Sequence, residues 1–315
     1  MMIDLAHPCL RLHGALLDSP RGSLAKFMIL CSIAFLVCAL CSYASADTLD
    51  QIRARGKLVV GVKKDVLLWG YQNIQTGQIE GLEPDLAQDL ARRLGVRLEL
   101  VGVVTAERIS ALEEQQVDIL IATLSATPER RLRLTLVEPH YYSSGVNILA
   151  RKSEGFKSWF DLRNRRVCGR RGAFYNRPIA VEYGVDFVAL YGNELAKAAL
   201  RDGRCSALLH DDTTIAAMLI DPHWNNQFGT PLKTLYPTPW AIALPKSEAG
   251  GRFADLVSEA VVDWHRSGFL KQLESKWAIP PSEFINDMNR VWNKRVDGRW
   301  LCGERLDAKT PKECR

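Results

Sequence analysis

Short apolar runs alternate regularly with amphipathic stretches along most of the chain. The segment "GKLVVGVKKD" (56–65) is typical of a strand led by a glycine, and "EPDLAQDLARRLG" (83–95) is typical of a helix with one apolar stripe and a glycine stop. The alternation restarts after Lys152 and continues to about residue 232. Strands that alternate with helices predict α/β units with mainly parallel sheets, here two of them.

A later apolar segment, "TPWAIALPKS" (238–247), follows the second unit and is interpreted as a strand. If this strand returns to the first sheet, the chain crosses between the two units twice. Two lobes joined by two crossing segments form a hinge beside a cleft, a geometry that closes around ligands. We therefore predict a two-lobed α/β fold with a first lobe at 47–149 and 236–285, a second lobe at 150–235 and a C-terminal tail at 286–315.

The first 46 residues have a different character. Arg21 and Lys26 precede the apolar run "FMILCSIAFLVCALCSYA", and "ASA" (44–46) supplies the small residues of a signal-peptide cleavage site. We expect cleavage after Ala46 and export of a soluble protein, with residues 1–20 as an N-terminal extension. An uncleaved membrane anchor is the alternative, although the apolar run is shorter than the roughly 20 residues of a stable span.

Charge and cysteine content narrow the function classes. The chain carries 41 Lys and Arg against 36 Asp and Glu, and no basic run has the density of a nucleic-acid-binding face, so we expect no nucleic-acid partner. Four cysteines remain after the predicted signal peptide, and an even number in an exported chain favours disulfides in any of three connectivities. These cysteines are Cys168, Cys205, Cys302 and Cys314.

One strand ending is chemically unusual. In "DILIATLSATPERRLRL" (118–134) an apolar strand runs into a helix start, with Thr127 as a hydroxyl N-cap followed by a proline and an acid. Arg130 then faces the positive end of the helix dipole, which costs roughly a few tenths of a kcal/mol unless a negative group lies nearby. The local chemistry indicates an anion site. The alternative is a surface arginine paired with Glu129 or Glu138.

Several segments occur in a consistent order that resembles the family 3 extracellular solute-binding proteins. They are "LDQIRARGKLVVGVKKD", "GLEPDLAQDLARRLG", "VDILIATLSATPERR", "EPHYYSSGV", "GRCSALLHDD" and "TPWAIALPKS", within about residues 48–277. These proteins are the periplasmic receptors of polar amino-acid ABC importers. The resemblance implies two α/β lobes, a two-strand hinge, a periplasmic location, an amino acid bound between the lobes, and a membrane permease as partner. We expect a monomer that needs no cofactor or metal.

The resemblance also assigns the residues that hold the ligand's main chain. Thr123 matches the position that helps hold the α-amino group, and Ser125 and Arg130 match those that hold the α-carboxylate. Asp211 matches the aspartate that pairs with the ammonium group. Independently of the resemblance, a planar guanidinium matches a carboxylate bidentately, and free N–H groups at a helix start add to it.

The positions around the ligand side chain point to an acidic amino acid. Lys63, Thr105 and Arg108 match the residues that surround the distal carboxylate in relatives that bind glutamate or aspartate. A second anionic group desolvated in a cleft needs compensating cations, which agrees with this assignment. Ordinary surface charge is the alternative for Lys63 and Arg108, and glutamine remains open as a ligand.

The chain departs from the family pattern at two places in the predicted pocket. Relatives carry Pro-Pro-Phe or Pro-Phe where this chain has "LLW" (67–69), so the aromatic that packs over the ligand becomes Trp69 or moves to Tyr71. The glycine turn of the second lobe reads "GAFY" (172–175), and the resemblance implies that Gly172 and Ala173 lie at the ligand. Some relatives also pair cysteines at the places of Cys168 and Cys205, which leaves Cys302 and Cys314 to pair in the tail.

Other functions stay open at this point. Adjacent His210, Asp211 and Asp212 could suggest a metal or catalytic cluster, but three consecutive residues at one strand end cannot all converge on an ion. Asp212 is interpreted instead as the N-cap of the next helix. A few relatives with this fold are dehydratases of cyclic prephenate-like acids, and a receptor that presents its ligand to a sensor kinase is a third alternative. We find no nucleophile-base pair and predict a binding protein with no catalytic residues.

Overall fold

The computed structural model describes residues 47–315, so the predicted signal peptide and its cleavage site lie outside the described residues. Within this range no helix has both the length and the apolar character needed to cross a membrane. The helices are α1 Thr48–Arg55, α2 Leu82–Leu94, α3 Arg108–Glu113, α4 Pro128–Arg133, α5 Asn176–Tyr183, α6 Asn193–Arg201, α7 Asp212–Met218, α8 Pro222–Asn225, α9 Arg252–Ser267, α10 Phe269–Lys276 and α11 Glu283–Trp292.

Two larger sheets and two small ones contain the strands. The strands are β1 Lys57–Lys63, β2 Asp65–Val66, β3 Gly70–Gln72, β4 Ile79–Glu80, β5 Arg97–Val103, β6 Ile119–Ile121, β7 Leu134–Leu136, β8 Tyr142–Arg151, β9 Arg166–Arg170, β10 Asp186–Leu190, β11 Ala207–Asp211, β12 Phe228–Gly229, β13 Leu235–Trp240, β14 Ala243–Pro245, β15 Arg295–Val296 and β16 Arg299–Trp300.

The first lobe is built on a five-stranded sheet of order β5-β1-β6-β14-β7. Strand β1 runs parallel to β5 and β6, whereas β14 is antiparallel to β6 and β7. Val60 and Val62 face one apolar cluster and Val59 faces another, so β1 is covered on both sides, as its nearly continuous apolar sequence predicts. The return of β14 to this sheet confirms that the late apolar segment rejoins the first sheet.

The second lobe is built on a sheet of order β10-β9-β11-β8-β12, with β13 paired to β8. Strands β9, β10 and β11 are parallel, as predicted, but β8 is antiparallel to β11, β12 and β13. The expectation of a mainly parallel sheet is therefore wrong for this half of the second lobe. The reason is that β8 carries the chain from the first lobe into the second and β13 carries it back. These two connecting strands lie side by side in the second sheet and run in opposite directions.

The two connecting strands begin and end at the first core. Tyr142, the first residue of β8, is paired with Trp240, the last of β13, and both belong to the apolar cluster of the first lobe. The predicted lobe boundaries, after residues 149 and 235, fall inside β8 and β13. The backbone pairing of both strands, however, makes them members of the second sheet. The predicted segment 238–247 is likewise two strands, broken after Trp240. The lobe boundaries themselves stay a prediction.

The predicted capping residue is correct at two helix ends and wrong at a third. Thr127 caps α4, with its hydroxyl accepting the N–H of Arg130 at 3.4 Å, and Gly95 ends α2 in the left-handed conformation. Asp212, however, is not the N-cap of α7 but its first residue. Its carboxylate accepts the Gly145 N–H at 3.0 Å, so it ties the helix to β8 instead.

The four cysteines of the described chain form two disulfides. Cys168 at β9 is joined to Cys205 just before β11, with a Cα–Cα distance of 5.7 Å, and Cys302 is joined to Cys314 in the tail. The first bridge links β9, which precedes the predicted ligand residue Gly172, to the start of β11, which ends at the predicted ligand residue Asp211. The second lies in a small apolar cluster with Trp292 of α11, so the tail packs on the first lobe through a core of its own.

Candidate functional site

The predicted ligand residues gather where the two sheets face each other. Lys63 ends β1, Thr123 follows β6 and Asp211 ends β11, and crevices at the carboxyl ends of parallel strands are the usual ligand sites of α/β sheets. Hydrogen bonds between the lobes include two that involve the predicted ligand residues directly. These two bonds join Arg170 to Thr105 and Arg130 to Gly172.

Thr105 is the meeting point of three buried cations. Its hydroxyl oxygen accepts hydrogen bonds from Nζ of Lys63 at 3.1 Å and from Nη1 of Arg170 at 3.2 Å, and its carbonyl accepts one from Nε of Arg108 at 3.1 Å. Lys63, Arg108 and Arg170 are each at most 3% exposed. The surface-charge alternative for Lys63 and Arg108 is therefore wrong, because both cations are buried together.

Arg108 also fixes the backbone at the end of β6. Its Nη1 donates to the carbonyl oxygens of Ala122 and Thr123, at 2.9 and 2.6 Å. Thr123 has a φ of 46°, a left-handed conformation that costs a threonine about 1 to 2 kcal/mol and needs such support. The Thr123 N–H donates to Oε1 of Glu83 at 2.5 Å, and its buried hydroxyl has no protein partner in the part of the chain described.

Arg130 lies between the lobes and is 7% exposed. Its Nη1 donates to the carbonyl oxygen of Ser125 at 2.8 Å, and its Nη2 donates to the carbonyl oxygen of Gly172 in the second lobe at 3.2 Å. Glu138 pairs with Arg131 and Arg315 instead. The alternative of a surface arginine paired with Glu138 is therefore wrong.

A buried ion pair dominates the second-lobe side of the site. Nη2 of Arg170 donates to Oδ2 of Asp211 at 2.5 Å and to the hydroxyl oxygen of Tyr175 at 2.7 Å. The Nε of Arg170 is buried and has no acceptor within residues 47–315. Sequence reasoning missed Arg170. The available signal was its position at the end of a strand, directly before the glycine turn of "CGRRG".

Burial shifts the pKa values of the site's charged groups. Desolvation lowers the pKa of Lys63 to about 8, opposed by the neighbouring carboxylate of Asp65. Desolvation, followed by repulsion from a neighbouring guanidinium, lowers the pKa of Arg108 to about 10 and that of Arg130 to about 9. Glu83 is fully buried, and desolvation raises its pKa to about 8, so it carries little negative charge at neutral pH.

Two of the four buried cations have carboxylate partners and two do not. Lys63 pairs with Asp65 at 2.8 Å and Arg170 pairs with Asp211.

Within the described range 47–315, Arg108 and Arg130 have backbone carbonyl acceptors but no ion-pair partner. Since Glu83 is largely protonated, the cluster has an excess of about two positive charges, which a bound anion can offset.

The glycine turn of the second lobe lies where the two lobes approach each other. Gly172 has a φ of 84°, and a side chain there would approach the Thr105 carbonyl at 3.0 Å, so glycine permits the close approach of the lobes. Ala173 is half-buried against the second-lobe core.

Trp69 packs into the first core, with ring centroids 4.4 Å from Tyr142 and 4.8 Å from Trp240. A contact of Trp69 with a ligand stays a prediction.

The three consecutive polar residues at the end of β11 point in different directions. His210 contacts Oδ1 of Asn193 through Nε2 at 2.8 Å, Asp211 pairs with Arg170, and Asp212 bonds to β8. Among residues 47–315 no group of three or more His, Cys, Asp or Glu side chains could hold a metal ion.

Known proteins with similar sequences are binding proteins. The glutamine-binding protein of Geobacillus stearothermophilus is 32% identical over 182 residues, which cover 56% of this chain and 68% of that protein. The L-cystine-binding protein TcyJ of Escherichia coli (strain K12) is 27% identical over 240 residues, covering 75% of this chain and 88% of TcyJ.

The fold and the family model agree with these similarities. The structure of holo ArgBP from T. maritima superposes with a TM-score of 0.64 at 25% identity, covering 73% of this chain and 99% of that chain. The model of the bacterial extracellular solute-binding proteins, family 3, matches residues 58–280, which is more than half of the chain and includes the whole cation cluster. The chain therefore belongs to the bacterial extracellular solute-binding proteins, family 3.

Proposed function

We propose that this protein binds an acidic amino acid, glutamate or aspartate, between its lobes and delivers it to the membrane permease of an ABC importer. Family membership supports the solute-binding role, and two relatives are named for the amino acids glutamine and cystine. Those names differ from each other, so the acidic ligand is argued from the site of this chain.

The observation that carries the proposal is the pair of buried guanidinium groups without carboxylate partners in the described chain, Arg108 and Arg130. An acidic amino acid has two carboxylates, one for each guanidinium, and its net charge of about −1 reduces the positive excess of the cluster. Glutamine has one carboxylate and no net charge, so it would leave Arg108 desolvated without an anion. Guanidinium and carboxylate match in bidentate geometry, which adds specificity to the electrostatic gain.

The proposed pose follows from which groups surround each guanidinium. The α-carboxylate lies at Arg130, close to Ser125, and the distal carboxylate lies at Arg108, among the donors that meet at Thr105. The ammonium lies near Asp211, whose Oδ2 is already held in place by Arg170. Arg130 belongs to the first lobe and Asp211 to the second, so one ligand engages both and favours the closed form through differential affinity.

The proposal includes export to the periplasm after cleavage at Ala46. Disulfides persist in oxidising compartments, and the two bridges of the described chain fit that setting.

Calorimetric titration of the purified protein with each of the twenty amino acids tests the proposal, after unfolding and refolding to remove carried ligand. We expect heat with glutamate or aspartate and much weaker binding of neutral and basic amino acids. Binding of glutamine alone would keep the transport role and overturn the acidic ligand. The absence of heat with every amino acid would overturn the role itself, and a turnover assay on prephenate-like acids would then test the dehydratase alternative.

A further inference from the structure

A polar contact between the lobes lies beside the proposed ligand site but outside the predicted ligand residues. Asp65, in β2 of the first lobe, accepts the backbone N–H of Asn193 through Oδ2 at 2.9 Å. Its carbonyl oxygen accepts a second hydrogen bond from Nδ2 of Asn193 at 2.6 Å. Asn193 is the first residue of α6 in the second lobe and is 3% exposed. We name this pair of residues the interlobe latch.

The first-lobe end of the latch is connected to a predicted ligand residue. The other carboxylate oxygen of Asp65 pairs with Nζ of Lys63 at 2.8 Å, and Lys63 in turn donates to Thr105. A single carboxylate therefore neutralises a buried ligand-site cation with one oxygen and holds the second lobe with the other. A charged acceptor shared in this way makes stronger hydrogen bonds than a neutral one.

The second-lobe end of the latch contacts His210, which is adjacent in sequence to the predicted ligand residue Asp211. The N–H groups of a helix's first turn have no acceptor within the helix, and Gly192 before α6 has no side chain to cap it. Asp65 supplies the missing acceptor from the opposite lobe, with a negative charge at the positive end of the helix dipole. Because Asn193 uses its Nδ2 on Asp65, its Oδ1 accepts from Nε2 of His210, the neighbour of Asp211.

We propose that Asp65 is a positioning residue for closure, which couples the ligand-site cation Lys63 to the docking of helix α6 and so sets the lifetime of the closed, ligand-bound form. Asp65 acts through Lys63 and Asn193 and does not contact the ligand. This inference rests on the proposed function, since the lifetime that it sets is that of a bound amino acid.

Two physical roles of Asp65 predict opposite effects of the substitution Asp65→Asn. If Asp65 only neutralises Lys63, removing its charge makes the cleft more positive, and glutamate binds more tightly. If Asp65 is the latch, the interlobe contact weakens, and glutamate dissociates faster although the cleft is more positive. Asparagine keeps the size of the side chain but only one of the two acceptor oxygens, so the variant removes the charge and places an amide donor against Nζ of Lys63 or against the N–H of Asn193.

The experiment measures association and dissociation rates of glutamate by stopped-flow fluorescence for the wild type, Asp65→Asn, Asn193→Ala and the control Asp221→Asn. Asp221 lines the same small interlobe cavity as Asp65, but within residues 47–315 its carboxylate is hydrogen-bonded to His223 of the second lobe and not to the first lobe. We expect the dissociation rate to rise at least about tenfold in both latch variants, with little change in the association rate or in the control. Unchanged or slower dissociation in Asp65→Asn would overturn the latch.

Small-angle X-ray scattering, which reports how far apart the lobes stand, separates this result from a failure of the proposed function. We expect a larger radius of gyration for Asp65→Asn than for the wild type and Asp221→Asn at equal glutamate concentration. If the wild type binds no amino acid, the proposed function fails, and the radii of the three proteins without ligand still test the latch. Equal radii would then contradict it. Circular dichroism identifies a variant that fails to fold, in which case Asn193→Ala decides.

Discussion

Nη2 of Arg130 donates a hydrogen bond to the carbonyl oxygen of Gly172 at 3.2 Å, which joins the start of helix α4 in the first lobe to the glycine turn of the second. The same guanidinium holds the carbonyl oxygen of Ser125. A group proposed to bind the ligand's α-carboxylate therefore also forms part of the contact between the lobes. Ligand binding and closure then depend on one planar side chain.

The first prediction concerns the shape of this side chain. Arg130→Lys keeps the positive charge but loses the planar fork, so it cannot hold a carboxylate and the Gly172 carbonyl together. We expect the affinity for any α-amino acid to fall by about 30-fold or more, measured by calorimetry. Arg131→Lys on the same helix is the matched control, because Arg131 pairs with Glu138 away from the cleft. Affinities of Arg130→Lys within about threefold of the wild type would contradict the prediction.

The second prediction separates ligand specificity from ligand binding. Arg108→Met removes the cation proposed for the distal carboxylate and leaves the carbonyls of Ala122 and Thr123 without a donor. Unfolding free energy is expected to fall by about 1 to 3 kcal/mol, so the useful measurement is the ratio of glutamate to glutamine affinity. We expect this ratio to fall at least about tenfold. An unchanged ratio would show that Arg108 has only a structural role.

The third prediction tests the buried pair of Arg170 and Asp211. Asp211→Asn leaves Arg170 without its carboxylate and adds to the positive excess of the cluster, so it should lower the free energy of unfolding by about 3 to 5 kcal/mol. Arg170→Met should cost less, because Asp211 stays close to the positive charges of Arg108 and Arg130. The double variant removes both members of the pair and should cost less than the sum of the two. Urea unfolding of the four proteins in a double-mutant cycle measures the difference. Additive losses would mean that the two groups do not interact.

The fourth prediction follows from the raised pKa of Glu83. Its pKa of about 8 in the folded protein exceeds the ordinary value of 4.5, so the folded state holds the proton more tightly than the unfolded state. This contribution to stability is complete below about pH 4.5 and is lost as the pH rises to about 8. We expect the free energy of unfolding to fall by about 2 to 4 kcal/mol between pH 5 and pH 8 from this group alone.

The variant Glu83→Gln provides the comparison. A glutamine oxygen can still accept from the Thr123 N–H and from the Tyr141 hydroxyl, the two groups that bond to Oε1 of Glu83. The decline of stability between pH 5 and pH 8 should therefore be shallower in the variant. Parallel stability curves for the two proteins would indicate that Glu83 is ionised throughout this range.

Much of the fold was predictable because its signals are local. A hydroxyl N-cap followed by proline located the start of α4, and a glycine located the end of α2, each within a few residues. The alternating pattern predicted two α/β units. It could not show that β8 and β13 run antiparallel within the second sheet, because pairing partners are set by contacts between residues far apart in sequence. The break after Trp240 was hidden in one continuous apolar run for the same reason.

The candidate site was predictable where a side chain belongs to a recognisable local motif. Arg130 stood out because a cation at a helix start is unfavourable without an anion nearby. Arg170 and Glu83 did not stand out, since their importance arises from contacts with Asp211 and Thr123, 41 and 40 residues away. The packing of Trp69 against the rings of the first core was not visible in the sequence either, and its contact with a ligand stays a prediction. The sequence shows that a charged or aromatic side chain is present, but not which residue it pairs with or packs against.

In the proposed function, two buried guanidinium groups bind the two carboxylates of one amino acid. Calorimetric titration of the refolded protein with L-glutamate and with L-glutamine tests this pairing most directly, because these ligands differ in the distal group alone. We expect glutamate to bind at least about 30-fold more tightly than glutamine, and Arg108→Met to abolish most of this difference. Equal affinities, or a preference for glutamine in the wild type, would contradict this pairing.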